Sequence, residues 1–322
     1  RQMCIRDRWY TTDHAPEIKL KDVDVNQVIL DDFTKYRISL KAYNPSDVDG
    51  MINVNVESGG GGMRGRGPRR PGSGEDEDNI HHYYIPAGSA REIKIINDDR
   101  PGRITVNTMV SRNLPNEFDF NFSKVDTEVS DTLTGAFPID TAVFAAVPGE
   151  IIIDNEDPGF RTIEGNTRHK LKDLFRKEEE DKYQNFMPWR YPSKWTAVVK
   201  SSCFGESVHS AVYKSKGTGA NKVEWTAEIP KDNYYEIFVW NPKFEIWFWG
   251  RHNRTRNDQT QTYTIAYDEE KETASVDFAQ EENGWVSLGS YYLPAGRVTV
   301  TLTDKVSSVF VSADAVKFTL IK

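Results

Sequence analysis

The chain has 322 residues, a formal net charge of -8, 38% hydrophobic and 12% aromatic residues, and two cysteines. At roughly 150 residues per domain this is room for about two domains with cores of their own. The aromatic content excludes a chain disordered throughout, and the acidic balance removes the electrostatic reason to bind nucleic acid.

Residues 1–8, RQMCIRDR, resemble a string that recurs as adaptor read-through in translated metagenomic sequence, and they are expected to be foreign to the fold. Without them the net charge is about -10 and Cys203 is the only thiol, so no intrachain disulfide is expected. The natural chain is then expected to begin upstream, which makes this a C-terminal fragment of a larger protein. The longest apolar stretch, Ala142 to Ile153, is broken by Pro148-Gly149-Glu150 and falls short of the ~18 residues of a membrane helix. A protein of the bacterial periplasm, outer surface or medium is expected, and not a membrane-spanning one.

The first domain is placed at 9–147. Tyr36, Ile38, Leu40 and Ala42 alternate with Lys35, Arg37, Ser39 and Lys41, the period-2 pattern of a strand with one buried face, and Asn44-Pro45-Ser46-Asp47 turns the chain. Ile52, Val54 and Val56 are expected to pair with that strand. Further short runs follow at Ile93 and Ile95 and from Ile104 to Val110, and this spacing predicts an immunoglobulin-like antiparallel sandwich. Residues 59–79 carry glycines, prolines and segregated charge, and read as a disordered loop whose arginines compete with the acidic run Glu75 to Asp78. Adjacent His81 and His82 point to opposite faces of a strand, which speaks against a shared metal.

Tyr83-Tyr84-Ile85-Pro86-Ala87-Gly88 echoes Tyr291-Tyr292-Leu293-Pro294-Ala295-Gly296, but the flanks differ, and convergence on one turn type explains the echo. Between the domains, Asp131-Thr132-Leu133 and Asp140-Thr141-Ala142 resemble the short bacterial O-glycosylation acceptor pattern, Asp-Ser/Thr-aliphatic.

The second domain is placed at 148–322. Leu171, Leu174 and Phe175 fall at helical spacing beside the charged run Arg176 to Asp181, which predicts an inserted helix within 166–191. It either packs on the sandwich edge or docks a partner. Val223, Trp225, Ala227 and Ile229 alternate without a break, Pro230 ends the run, and a second run covers Tyr234 to Trp240; two antiparallel strands are expected. Trp225, Trp240 and Trp285 sit within strand patterns and are expected in the core. Tyr263, Ile265 and Tyr267, and then Val298, Val300 and Leu302, repeat the alternation.

Trp225, Tyr234-Tyr235-Glu236-Ile237-Phe238-Val239-Trp240-Asn241-Pro242, Asn253-Arg254, Gly284-Trp285-Val286-Ser287-Leu288-Gly289 and Ser312-Ala313-Asp314-Ala315-Val316-Lys317-Phe318 occur in this order. With Ile153-Asp154-Asn155-Glu156-Asp157-Pro158-Gly159-Phe160 before them, they resemble the golvesin C-terminal or xanthan-lyase-type domain, which is similar to the jelly-roll carbohydrate-binding modules of families 6 and 35. The resemblance covers roughly residues 150–322 and implies a jelly-roll there; with the strand spacing of the first domain and the helical spacing within 166–191, an all-β chain of two antiparallel β-sandwich domains, immunoglobulin-like then jelly-roll, with one inserted helix is expected. The family pattern lacks that insertion.

Two candidate sites follow. In Asn241 to Asp258, Trp247 and Trp249 offer faces for stacking on sugar rings, and Arg251, Asn253, Arg254 and Asn257 offer donors for hydroxyls. The same aromatic residues also suit a cover over the sandwich end, and Asn253-Arg254 also suits a brace within the loop. In the related modules, acidic residues near the first strand and an Asp in the last strand hold a structural calcium. Asp154 and Glu156 share a parity, and Asp314 shares the buried face of Val316, Phe318 and Leu320, so the three suit an all-oxygen Ca²⁺ site. The other reading, in which Asp314 accepts backbone N–H bonds and ties strands together, is favoured.

There is no Gly-x-Ser-x-Gly elbow, His-Glu-x-x-His, phosphate loop or cofactor fingerprint, and no catalysis is expected of this chain. The sequence reads as a carbohydrate-binding accessory region of a larger bacterial envelope or secreted protein whose catalytic region, a lyase or peptidase, lies upstream. Its partners would be a polysaccharide and the upstream domains. The alternative is a structural or protein-interaction module that stabilises the parent protein or docks a partner.

Overall fold

The computed structural model describes residues 15–58, 79–122, 125, 127–165, 182–244 and 259–321. It divides into two compact units, Arg1–Ala145 and Ala146–Lys322. Among the described residues none is α-helical, and no helix is long and apolar enough to cross a membrane.

The first unit contains β1 (Lys19–Leu30), β2 (Phe33–Asn44), β3 (Gly50–Ser58), β4 (Ile80–Ile85), β5 (Ser89–Asn97), β6 (Pro101–Asn107), β7 (Glu117–Asn121) and β8 (Gly135–Ile139). They form two four-stranded antiparallel sheets, ordered β1-β2-β5-β8 and β4-β3-β6-β7. Ile38, Leu40, Ala42, Ile93 and Ile95 of one sheet meet Ile52, Val54, Val56, Ile104 and Val106 of the other in a single core. The expected pairing of β3 with β2 is therefore corrected. β3 pairs with β4 and β6, and its apolar residues face β2 across the core. Alternation marks the inward face of a strand and says nothing of which strand lies beside it. The turn between β2 and β3 is held by Asn44, whose Nδ2 donates to the carbonyls of Val48 at 2.8 Å and Ile85 at 3.1 Å.

The second unit contains β9 (Glu150–Ile153), β10 (Phe160–Ile163), β11 (Tyr183–Gln184), β12 (Thr196–Val199), β13 (Ser210–Ser215), β14 (Lys222–Ile229) and β15 (Asn233–Asn241). It continues with β16 (Thr260–Tyr267), β17 (Glu270–Asp277), β18 (Gly284–Leu293), β19 (Gly296–Thr303), β20 (Phe310–Ala313) and β21 (Val316–Leu320). A five-stranded sheet, β10-β14-β19-β16-β17, and a four-stranded sheet, β18-β15-β21-β9, enclose the larger core. A third sheet, β11-β12-β13-β20, carries a smaller core of its own. β14 and β15 are each antiparallel to their neighbours, but they lie in different sheets and are not partners. Pro230 denies β14 another ladder donor, and the following residues carry the chain across the sandwich.

Two aromatic placements differ from expectation. Trp225 is 1% exposed and lies in the core. Trp240 and Trp285 are half-buried on the opposite side of their sheet, because Tyr235, Ile237 and Val239 take the inward positions of β15. Their rings meet edge to face at 5.1 Å, and Phe204 packs on both.

The stretch 59–78, the leading octapeptide and the first part of the expected helix, 166–181, lie outside the described residues. The later part of that helix is described and is not helical. Tyr183 and Gln184 pair in parallel with Ala197 and Val198, and Phe186 enters the smaller core. Sheet pairing and ring burial here override a weak local propensity.

Candidate functional site

The connection from β15 to β16 begins and ends on fixed points. Asn241 is 1% exposed, and its Nδ2 lies within 3.3 Å of the carbonyls of Phe278, Glu281 and Glu282. Its Oδ1 accepts the Lys243 N–H at 3.0 Å, and the Asn283 Nδ2 donates to its carbonyl at 2.7 Å. At the far end the Gln259 N–H donates to Asp277 Oδ1 at 3.0 Å. Trp247, Trp249, Arg251, Asn253, Arg254 and Asn257, the expected stacking and hydrogen-bonding residues, lie outside the described residues. Asn241 and Asn283 escaped the sequence reading as anchors, since an asparagine that gathers remote carbonyls leaves no periodic signal.

Phe244 stands between the anchor and that segment and is 4% exposed. Its ring stacks on Phe186 at 4.4 Å with planes 13° apart, and Tyr191 stacks on Phe310 at 5.0 Å. Phe186 also meets Tyr213 at 5.2 Å. The chain leaving the insertion is thus clamped beside the start of the 245–258 segment. Between the two anchoring rings, Trp189 is 72% exposed and Met187 38%, and burial of apolar surface does not account for either.

The three expected metal ligands have different surroundings. Asp314 follows β20 at the crossing to β21 and is 2% exposed. Its Oδ2 accepts the Phe204 N–H at 3.1 Å, a single backbone donor from a loop and not from the other terminal strand, and its carbonyl accepts Trp225 Nε1 at 2.8 Å. Its Oδ1 is buried without a partner. Burial, then the nearby Asp154 charge, push the Asp314 carboxyl well above the usual carboxylate range.

Asp154 and Glu156 are not on a strand, because β9 ends at Ile153 and the Asp157 N–H donates to the Asp154 carbonyl at 3.1 Å, closing a turn. The parity argument for them is replaced by turn chemistry: Asp157 Oδ2 accepts the Asp154 N–H at 2.8 Å, and Asp154 Oδ1 accepts the Asn155 N–H at 2.7 Å. Burial pushes the Asp154 carboxyl up to about 7, with the Asp157 and Glu156 charges adding to it. Glu156 turns elsewhere. Its Oε2 pairs with Lys182 Nζ at 2.6 Å and its Oε1 accepts the Ser210 hydroxyl at 2.8 Å. Burial acts to raise its carboxyl, but these partners outweigh it and hold it below the ordinary value.

Asp154 and Asp314 are thus brought into electrostatic contact, while Glu156 faces Lys182. Among the described residues no group of three or more His, Cys, Asp and Glu side chains is arranged to hold a metal ion. The all-oxygen character of the pair and the orphaned Asp314 Oδ1 suit a hard cation such as Ca²⁺. The same pair also suits a retained proton. Cys203, also buried, is a free thiol whose ionisation burial and the Asp314 charge suppress.

Residues 188–320 match the family described as the Golvesin C-terminal domain. Among solved structures, a Paenibacillus xanthan lyase aligns at 13% identity and a TM-score of 0.37, covering 97% of this chain and 27% of that one. A Podospora anserina GH26-CBM35 beta-(1,4)-mannanase aligns at 11% identity and a TM-score of 0.27, covering 41% of this chain and 27% of that one. This chain therefore spans about a quarter of the length of these two structures. The comparison with curated proteins gives no match. The match to the Golvesin C-terminal domain family lies wholly within the second unit.

Proposed function

We propose that this chain is a non-catalytic carbohydrate-binding accessory region of a larger bacterial envelope or secreted protein. It serves a catalytic region of lyase or peptidase type elsewhere in the parent protein by holding it near a polysaccharide. The observation that carries the reading is the Asn241 to Asp258 connection of the Golvesin C-terminal domain: its ends are bonded down at Asn241 and Gln259, and its sequence gathers Trp247, Trp249, Arg251, Asn253, Arg254 and Asn257. Aromatic faces beside amide and guanidinium donors suit the apolar faces and hydroxyl rims of sugar rings.

Affinity electrophoresis of the whole chain through a panel of neutral and acidic polysaccharides tests it. Retardation by at least one polysaccharide is expected, with a loss of about tenfold or more in affinity in Trp247→Ala or Trp249→Ala, the size of a ~1.4 kcal/mol contact. A folded protein that migrates freely through the whole panel would sink the reading.

Asp154 and Asp314 would hold a structural Ca²⁺ in this module, the unpartnered Oδ1 of Asp314 supporting that assignment. The ion would neutralise the two carboxylates and bridge the β9 end to the β20–β21 crossing. A second reading, docking of a protein partner, draws support from Trp189 and Met187, exposed on the segment that leaves the insertion.

A further inference from the structure

The two Asp-Thr-aliphatic sequences of the first unit adopt the same local turn. Asp131 Oδ1 accepts the Leu133 N–H at 3.0 Å, and Asp140 Oδ1 accepts the Ala142 N–H at 2.8 Å. Each is an Asx turn that bends the chain at its middle residue. Those middle residues, Thr132 and Thr141, are both exposed.

Each turn is also fastened to the sandwich. Asp131 Oδ2 accepts from Arg37 Nη1 at 2.8 Å and Lys94 Nζ at 2.7 Å. The second turn opens a 3-10 turn, Thr141–Phe144, with Asp140 as its cap. Lys21 Nζ donates to the Val143 carbonyl at 2.9 Å, and the Phe144 ring lies 5.4 Å from that of Tyr43. Nothing in the core requires either threonine. A hydroxyl lifted on a fastened turn, with a carboxylate before it and an aliphatic side chain after it, is an accessible and uniform shape for an enzyme to read.

We propose that Thr132 and Thr141 are O-glycosylation sites, each displayed by an Asp-Thr-aliphatic Asx turn. In the transfer, the threonine Oγ1 attacks the anomeric carbon of a glycosyl phosphate or pyrophosphate donor held by a glycosyltransferase. The Oγ1–carbon bond forms as the bond from that carbon to the phosphate oxygen breaks. The (pyro)phosphate leaves with the electron pair, and the hydroxyl proton passes to a base of the transferase. This inference is independent of the carbohydrate-binding reading.

Thr127 provides an internal control. It follows Asp126 and is exposed, but Glu128 follows it and its carbonyl accepts the Gln27 N–H at 2.7 Å. The experiment exports the whole chain from a bacterium that O-glycosylates Asp-Thr-aliphatic sequences in a control protein, and compares the intact protein and its peptides by mass spectrometry. Glycan mass is expected on Thr132 and Thr141 and not on Thr127. Thr132→Ala and Thr141→Ala should each remove one increment and the double variant both. Modification of either threonine with Thr127 bare upholds the proposal. Both bare while the control protein is modified, or Thr127 modified to the same extent, overturns it.

Discussion

Asp304 and Asp314 belong to one sandwich and are both shut off from water, 0% and 2% exposed, yet one is saturated with partners and the other is not. Asp304 accepts from Lys214 Nζ at 2.8 Å, Asn221 Nδ2 at 2.6 Å and the Gly219 N–H at 2.7 Å. Gly217 belongs to the same arrangement, since a Cβ there would lie 2.0 Å from Asp304 Oδ2. Burial acts to raise the Asp304 carboxyl, and these donors outweigh it and bring it below the ordinary value. Asp314 has one backbone donor for two oxygens and is pushed the other way. The difference teaches that burial alone does not set the charge of a carboxylate; the donors that meet it do. Asp304 is a charged staple for the loop after β13, and Asp314 keeps one oxygen without a donor.

The largest effect is expected from breaking the staple. Lys214→Met or Asp304→Asn leaves one buried partner unmatched and should cost about 3–5 kcal/mol, read from denaturant midpoints. The double replacement Lys214→Met with Asp304→Leu should recover much of the loss. If each single variant costs under about 1 kcal/mol, the pair is not the constraint described here.

The next effect is on pH dependence. Asp154 has a folded-state value of about 7 against an ordinary 3.8, so between these values the folded state keeps a proton that the unfolded state has released. Its contribution is fully present below about 3.8 and is lost as pH rises through about 7. Asp304 runs in the opposite sense: its contribution is present above the ordinary carboxylate value and lost as pH falls through its lowered one. In chelator, stability of the whole chain should decline by a few kcal/mol at most from pH 4 to pH 7.5, and Asp154→Asn should flatten the decline. An equal slope in both proteins would place the Asp154 carboxyl in its ordinary range.

The smallest expected effect is that of Asp314→Asn in chelator, within about 1 kcal/mol at pH 7, because burial and the Asp154 charge favour the uncharged acid, whose shape and neutrality an amide keeps. Calcium sharpens this contrast. At a concentration 100 times its Kd, an ion bound to the folded state adds about 2.7 kcal/mol to the native chain, and Asp314→Asn should abolish that gain. Equal melting temperatures with calcium and with chelator in the native chain would remove the cation and leave the proton.

Much of the strand content was legible because one face of each strand is dry. β2, β14, β16 and β19 alternate cleanly, and Ile38, Leu40, Val223, Ile265, Val298 and Val300 are buried where the alternation puts them. The Pro-Ala-Gly echo was legible as a turn, and the structure adds its fastening: Asp49 Oδ1 accepts the Ala87 N–H at 2.9 Å and Asp232 Oδ1 accepts the Ala295 N–H at 2.7 Å. The surroundings of the candidate carboxylates were less legible. Asp154 and Glu156 were read as strand residues and form a turn, and Lys182, which engages Glu156, came from the stretch read as helix.

The sequence by itself determined the β character of most described parts, the stretch 182–191 excepted, which faces of its strands are apolar, and the match of residues 188–320 to the Golvesin C-terminal domain family. These properties rest on side-chain period and local turn chemistry, which act over a few neighbours. Tertiary structure alone decided that β2 and β3, and likewise β14 and β15, lie in opposite sheets. It also put Trp240 and Trp285 on an outer face, and saturated Asp304 while leaving Asp314 short of donors. Each of these depends on which remote segment arrives beside a residue, and a period of two residues carries no information about that partner.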